Sequence, residues 1–214
     1  MGSRLSTAFI FDFDGTLVNS EQAIYQCFHN ITKKIAPDRI EYVKNIIIGP
    51  PLRETASEIL GQEFEYLLDE FVKLFIKFHD NQVIQHTQPY PNVTNVLKKL
   101  EAKKIPMAIA TNKREAPTKI LIDHLRWKNY FHLVKCSDSS NEIISKKQMI
   151  YQIKSFNNNF EDAFYVGDTV NDGISANQNG LSFIKANYGY GQMQDWKNIK
   201  IYKEINNIEE ILKI

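Results

Sequence analysis

Cysteine is nearly missing from this chain: Cys27 and Cys136 are the only two in 214 residues, and they form no Cys-x-x-Cys pair. That spacing argues against a disulfide framework and a thiolate zinc site and points to a reducing compartment, read here as cytoplasmic. Long apolar runs are also missing, and none approaches the ~18 residues of a membrane span. The one apolar stretch near the start is cut by Asp12 after four residues, so no signal peptide is expected. Nor does either charge predominate. Lys and Arg number 26 against 25 Asp and Glu, which gives a net charge of +1 and no electrostatic footprint for nucleic acid or an anionic membrane. The opening MGSRLS matches an N-myristoylation pattern, but a pattern this short arises readily by chance. What remains is an ordinary globular composition, long enough for one large domain or a domain with a smaller companion.

From residue 89 onward short apolar runs alternate with helical stretches. IPMAIAT (105–111), HLVKCSD (132–138), AFYVGD (163–168) and LSFIKAN (181–187) read as strands, and IKIYKEI (199–205) as an edge strand. Helices are expected over 92–104, 117–125, 146–157 and 171–180, the last stopped by Asn-Gly. With the strand that leads into Asp12, this alternation predicts an α/β fold, a doubly wound, Rossmann-like parallel sheet with helices on both faces. Residues 20 to 88 break the rhythm. Residues 21–35 and 64–79 carry apolar stripes at helical spacing, and IGPPLRE (48–54) reads as a turn between helices. The expected organisation is a core domain of 1–18 and 89–214 with a helical cap domain, 19–88, entered at the helix caps Asn19 and Ser20.

The stretch FIFDFDGTLVNS (9–20) ends a strand on two carboxylates, Asp12 and Asp14. Alternate strand residues share a face, so the two should crowd each other and need a cation, a raised pKa or solvent. Ligands in an open parallel sheet bind beyond the strands' carboxyl ends. There the pattern puts Asp12 and Asp14, then Thr111 and Asn112, then Lys146 and Lys147 opening a helix, then Asp168 with Asp172 four residues on. Each has a bland reading taken alone: a turn, a helix cap, a solvated lysine. Their convergence on one sheet edge in one order is hard to assign to chance.

Together DFDGTLVNS, IATNK (109–113), SKKQMI (145–150) and YVGDTVND (165–172) resemble the four motifs of the haloacid dehalogenase-like superfamily, and the insert resembles that family's helical cap. The phosphoglycolate phosphatase-like group is the nearest in pattern. The resemblance implies a Mg2+-dependent phosphatase acting on a small phosphorylated metabolite, with something like phosphoglycolate possible. Asp12 would be the nucleophile that forms an aspartyl-phosphate, and Asp14 the acid and base that also gives the metal its backbone carbonyl. Asp168 would be a further metal ligand, and Asp172 would hold metal-bound water or orient the lysine. Thr111, Asn112 and Lys146 would bind the phosphoryl group. The family's spacing picks Lys146, with Lys147 as the alternative because the two stand side by side.

In this reading specificity falls to the cap. Arg53, in IGPPLRE, either binds a substrate anion or pairs with a surface acid such as Glu54 or Glu58. Lys113 and Arg114 either assist the anion or are surface charges, and His79 and His86 are given no role. Asp14 favours phosphatase or sugar phosphomutase over dehalogenase. A non-catalytic regulatory binding module with the same fold is the third reading.

Overall fold

The computed structural model describes residues 8–139 and 142–214. The acylation pattern at residues 1–6 lies outside them. The first strand, β1 (Phe9–Phe11), is three buried apolar residues, and the pleat divides them. Phe9 and Phe11 enter one hydrophobic layer with Met107 and Ile109, while Ile10 enters the other with Ala108, Ala110 and Tyr165. A strand buried on both faces explains a continuous apolar run where an alternating one would mark a half-exposed sheet.

After β1 come a short strand β2 (Val18–Asn19) and three helices, α1 (Glu21–Ile35), α2 (Leu52–Leu60) and α3 (Leu68–His86), with 3-10 segments between them. These helices share a core of their own that includes Phe28, Ile31, Ile59, Phe71 and Phe75. The chain returns through β3 (Gln88–Pro89), which pairs antiparallel with β2 and so zips the two linkers together. Two expectations shift. IGPPLRE is a turn only as far as Pro51, because Pro51 sits extended just before α2 and Leu52, Arg53 and Glu54 already form its first turn. The helix expected over 64–79 instead runs from Leu68 to His86. Gly61, at φ +64, ends α2 and leads into a 3-10 segment. Nothing breaks the helix before Pro89, so it continues and carries Val83 into the main core.

The remaining elements are α4 (Val93–Ala102), β4 (Met107–Thr111), α5 (Glu115–His124), β5 (Leu133–Cys136), α6 (Lys146–Phe156), β6 (Phe164–Gly167), α7 (Val170–Gln178), β7 (Ser182–Ala186) and β8 (Ile201–Ile205). The six core strands are parallel, in the order β5-β4-β1-β6-β7-β8. The expected α/β sheet is therefore present, with β8 at one edge. The chain builds outward from β1 on the β4 side, then crosses back to lay β6 on β1's other side. The strand order thus reverses at β1, and a crevice opens beyond the carboxyl ends of β4, β1 and β6. Phe11 lies level with Ile109 and Val166, so Asp12, Thr111 and Asp168 leave the sheet within about two residues of one level.

Candidate active site

Three carboxylates converge in that crevice. Oxygens of Asp12, Asp168 and Asp172 lie within 4.8 Å of one another, and all three residues are buried. Lys146 stands among them, 2% exposed, with Nζ 3.0 Å from Asp12 Oδ2 and 2.5 Å from Asp172 Oδ1. The capping box of Ser145 with Gln148 fixes the start of α6 and places Lys146 at its first residue. Lys147 points to solvent. Burial pushes the Asp12 carboxyl up to about 7, against the pull of Lys146, and burial, with the neighbouring Asp172 and Asp12, holds Asp168 well above the usual carboxylate range. Burial opposes the charge on Lys146, yet the carboxylates on either side hold it protonated above its usual range.

Asp172 does two jobs at once. Its Oδ2 accepts from Thr169 N at 2.9 Å and Thr169 Oγ1 at 2.6 Å, a capping box that starts α7, and its Oδ1 holds Lys146. Tyr165, from the middle of β6, donates its hydroxyl to Ala110 O at 2.9 Å and stands 3.3 Å from Asp172 Oδ1. Both oxygens are thus engaged by protein groups, which suits orienting the lysine better than direct metal ligation. Asp168 accepts from Thr16 Oγ1 at 2.9 Å and Tyr190 N at 2.7 Å. Gly15 packs against it: a Cβ there would lie 2.2 Å from Asp168 Oδ2, and the φ of +84 already favours glycine.

Asp12 and Asp14 both line the crevice, but different partners hold them. The strand stops at Phe11 and the chain turns through 12–15, so the alternation that would set the two side chains on one face has ended. Asp14 turns to Lys113 Nζ, 3.1 Å from each carboxylate oxygen, and accepts from Ser20 Oγ at 2.6 Å. Ser20 therefore leaves α1 without a side-chain cap at that position, while Asn19 Oδ1 accepts from Glu21 N. The acids that crowd Asp12 are Asp168 and Asp172.

Thr111 Oγ1 accepts from Lys113 N at 3.2 Å, which leaves its O–H free to donate toward the crevice. Asn112 Nδ2 donates to Gly49 O at 2.7 Å and so fastens the insert to the core. Gly49 has φ +133, and a Cβ there would come within 2.9 Å of Thr169 Cγ2, so only glycine allows this approach. The Asp80–Arg114 ion pair joins α3 to the start of α5 as a second bridge.

A cavity of about 90 Å³ lies between insert and core, bounded by Asp12, Asp14, Thr111 and Lys113 on one side and by Phe28, Leu52, Phe75 and His79 on the other. Arg53 is not on its wall. Being in the first turn of α2, it points across the outer surface to Asp69 on α3, 2.7 Å away, with half its side chain exposed. The expectation that Arg53 meets a substrate anion is withdrawn, and its partner is Asp69, not Glu54 or Glu58. Arg53→Ala is expected to leave kcat and KM within about twofold for any phosphate ester and to cost at most about 1 kcal/mol of stability, the worth of an exposed ion pair. A tenfold rise in KM in steady-state assays would contradict that placement.

Pattern reading missed Thr16, Tyr165 and Tyr190, took Ser20 only as a helix cap, gave His79 no role, and left Lys113 and Arg114 undecided. The family model of haloacid dehalogenase-like hydrolases matches residues 9–186, the span that holds every acid of the crevice. The chain belongs to the haloacid dehalogenase-like hydrolases. It is 28% identical over 184 residues to a phosphoglycolate phosphatase of Aquifex aeolicus, covering 85% of this chain and 84% of that one. A phosphoglycolate phosphatase of Rhodobacter capsulatus is 28% identical over 191 residues, covering 87% and 86%. A solved haloacid dehalogenase-like hydrolase from Streptococcus pneumoniae superposes with a TM-score of 0.82 at 24% identity, over 98% of both chains, which is evidence of shared fold. The DFDGT turn and the GDTVND turn form two sides of one acid-lined crevice. No helix among the described residues is long and apolar enough to cross a membrane.

Proposed function

We propose that this haloacid dehalogenase-like hydrolase is a Mg2+-dependent phosphatase of a small phosphorylated metabolite, working through an aspartyl-phosphate on Asp12 in a reducing, cytoplasmic setting. One observation carries the reading: Lys146 holds Asp12 Oδ2, while Asp12 Oδ1 is buried with no hydrogen-bond partner among the described residues. A buried carboxylate oxygen without a donor is costly, and a hard cation beside Asp12 and Asp168 answers it. The donor set fits Mg2+: carboxylates of Asp12 and Asp168 with the backbone carbonyl of Asp14 would hold it, and Asp172 would act through Lys146 or a water. When bound, the ion offsets the negative charge of the carboxylates and of the phosphoryl group.

The chain's own residues supply the rest. Asp12 attacks phosphorus, and the bond from phosphorus to the ester oxygen breaks. Asp14, which must carry a proton when the ester is bound, gives it to that oxygen, and the alcohol departs. Asp14 then takes a proton from water, whose oxygen attacks phosphorus and frees Asp12 and inorganic phosphate. Lys146 and the Thr111 hydroxyl hold the phosphoryl oxygens as charge builds on them. Asn112 acts indirectly, by fastening the Gly49 turn. Segment 19–88 serves as a cap domain over a core of 1–18 and 89–214, closing through the Asn112–Gly49 and Arg114–Asp80 contacts and excluding water from the charges beneath.

Hydrolysis of p-nitrophenyl phosphate is expected to vanish on exhaustive chelation and to return with Mg2+. Undiminished turnover after chelation, with metal content checked by elemental analysis, would remove the ion from the reaction. A sugar phosphomutase of the same fold would keep these residues and would isomerise a hexose phosphate without net phosphate release. A regulatory binding module would bind phosphate esters and turn over none.

A further inference from the structure

The cavity above Asp12 and Asp14 is where the alcohol part of a substrate must sit, and its wall is unevenly equipped. Ile24, Phe28, Ile48, Leu52 and Phe75 make most of it apolar. It has two permanent cations among the described residues, and both already have carboxylate partners: Lys113 with Asp14, and Arg114 with Asp80. The wall also carries the hydroxyls of Thr55 and Thr111, but besides Asp12 one wall residue has a buried side-chain atom with no hydrogen-bond partner among the described residues. His79 on α3 is 4% exposed, its ring stacked on Phe75 with centroids 5.4 Å apart and planes at 13°. Its Nδ1 faces Asp80 Oδ1 at 3.6 Å, while its Nε2 is buried with no hydrogen-bond partner among the described residues.

The tautomer follows from Asp80. An ionised carboxylate only accepts, so the ring proton belongs on Nδ1, and Nε2 presents a lone pair. His79 lies on the cavity wall and Asp80 does not, and Nε2 is the ring nitrogen that Asp80 does not hold. Burial and the nearby Lys113 also keep the imidazole neutral by lowering its pKa. A buried acceptor left unpaired is costly, and a bound O–H would remove that cost.

We propose that His79 is the specificity-determining residue of this site, and that its Nε2 accepts a hydrogen bond from a hydroxyl on the substrate's alcohol. The substrate class that fits is a neutral, hydroxyl-bearing leaving group, a short polyol or sugar phosphate. The inference rests on the phosphatase reading and refines it. Phosphoglycolate, named for the curated relatives, fits less well, because its carboxylate would meet a lone pair and cations that are already held.

The test measures kcat/KM with Mg2+ for glycerol 3-phosphate, erythrose 4-phosphate, ribose 5-phosphate, phosphoglycolate and p-nitrophenyl phosphate, using the full chain. Wild type should prefer one of the hydroxylated esters over phosphoglycolate by at least about tenfold. His79→Phe keeps the stack on Phe75 and deletes the acceptor. It should lower the ratio of that ester's kcat/KM to the aryl phosphate's by about tenfold, chiefly through KM, as for one lost hydrogen bond. His79→Gln, which returns an amide oxygen near the Nε2 position, should recover most of the ratio. Preference for phosphoglycolate overturns the inference and means that Lys113 passes from Asp14 to the substrate. A ratio unmoved by His79→Phe, or unrecovered by His79→Gln, also overturns it and leaves His79 a packing residue. A wild type that hydrolyses no ester in the panel removes the phosphatase reading itself.

Discussion

Replacing Asp12 with Asn is expected to reduce phosphatase turnover by at least about a thousandfold, the scale on which removal of a covalent nucleophile is felt. The amide is nearly the same size, so packing against the carboxyl end of β1 survives. Its nitrogen and oxygen cannot attack phosphorus as the carboxylate does. Intact-protein mass spectrometry after acid quench should find a phosphoryl adduct on wild type and none on Asp12→Asn. Retained turnover would falsify the assignment of Asp12 as nucleophile. Stability gives an independent reading with a fixed sign. The Asp12 carboxyl rises from 3.8 to about 7 on folding, chiefly through burial, against the pull of Lys146. Its folded-state pKa is above the unfolded one, so its ionisation subtracts stability as pH climbs from about 4 toward 7. Metal-free Asp12→Asn should lose less of its thermal midpoint than wild type between pH 5 and pH 8.

The second large effect belongs to Lys146. Lys146→Met fills a similar volume and leaves Asp12 and Asp172 facing each other without their shared cation. Removing one member of a buried charge cluster costs about 3–5 kcal/mol, because the others stay desolvated and uncompensated. The loss should be greatest near pH 8 and smallest near pH 5. Lys146 now pulls the Asp12 pKa down, so without it the carboxyl rises further and ionising it costs more. Turnover should fall a hundredfold or more even with Mg2+, since the phosphoryl oxygens lose a fixed positive partner. Lys147→Ala, one residue on and exposed, should match wild type in both urea midpoint and turnover. If Lys147→Ala were the damaging change, the start of α6 would have to be one residue out of register.

These two positions also mark what could be read in advance. The sheet was legible because β1, β4, β6 and β7 are short apolar runs punctuated by turns and helices, and a parallel strand has to be apolar on both faces. The order of acids along the chain was legible for a related reason. In a doubly wound sheet every strand's carboxyl end opens on one edge, so residues far apart in sequence meet there whatever the loops do. The choice between the adjacent lysines rested on the resemblance to the family's spacing and stayed open; only the structure shows the Ser145–Gln148 capping box that starts α6 at a buried Lys146 and leaves Lys147 exposed.

Side-chain direction beyond the strand ends was not legible, because it depends on contacts between segments distant in sequence. Alternation placed Asp14 beside Asp12, yet the strand had ended, and Lys113 and Ser20 decided where Asp14 points. Arg53 carried the right chemistry for an anion, but α2 begins at Leu52 and the rotation of that helix against α3 turned it to Asp69. His79 had no partner at any informative spacing, and only the packing of α3 on the core brought it to the cavity with one nitrogen unpaired. Local apolar patterning and strand polarity were enough to specify the α/β sheet, its helical insert and the set of acids and the lysine at its edge. How the insert sits on that edge, and so which of its residues line the cavity, emerges only in three dimensions, because the orientation of a helix against a sheet depends on packing between residues that sequence spacing does not relate.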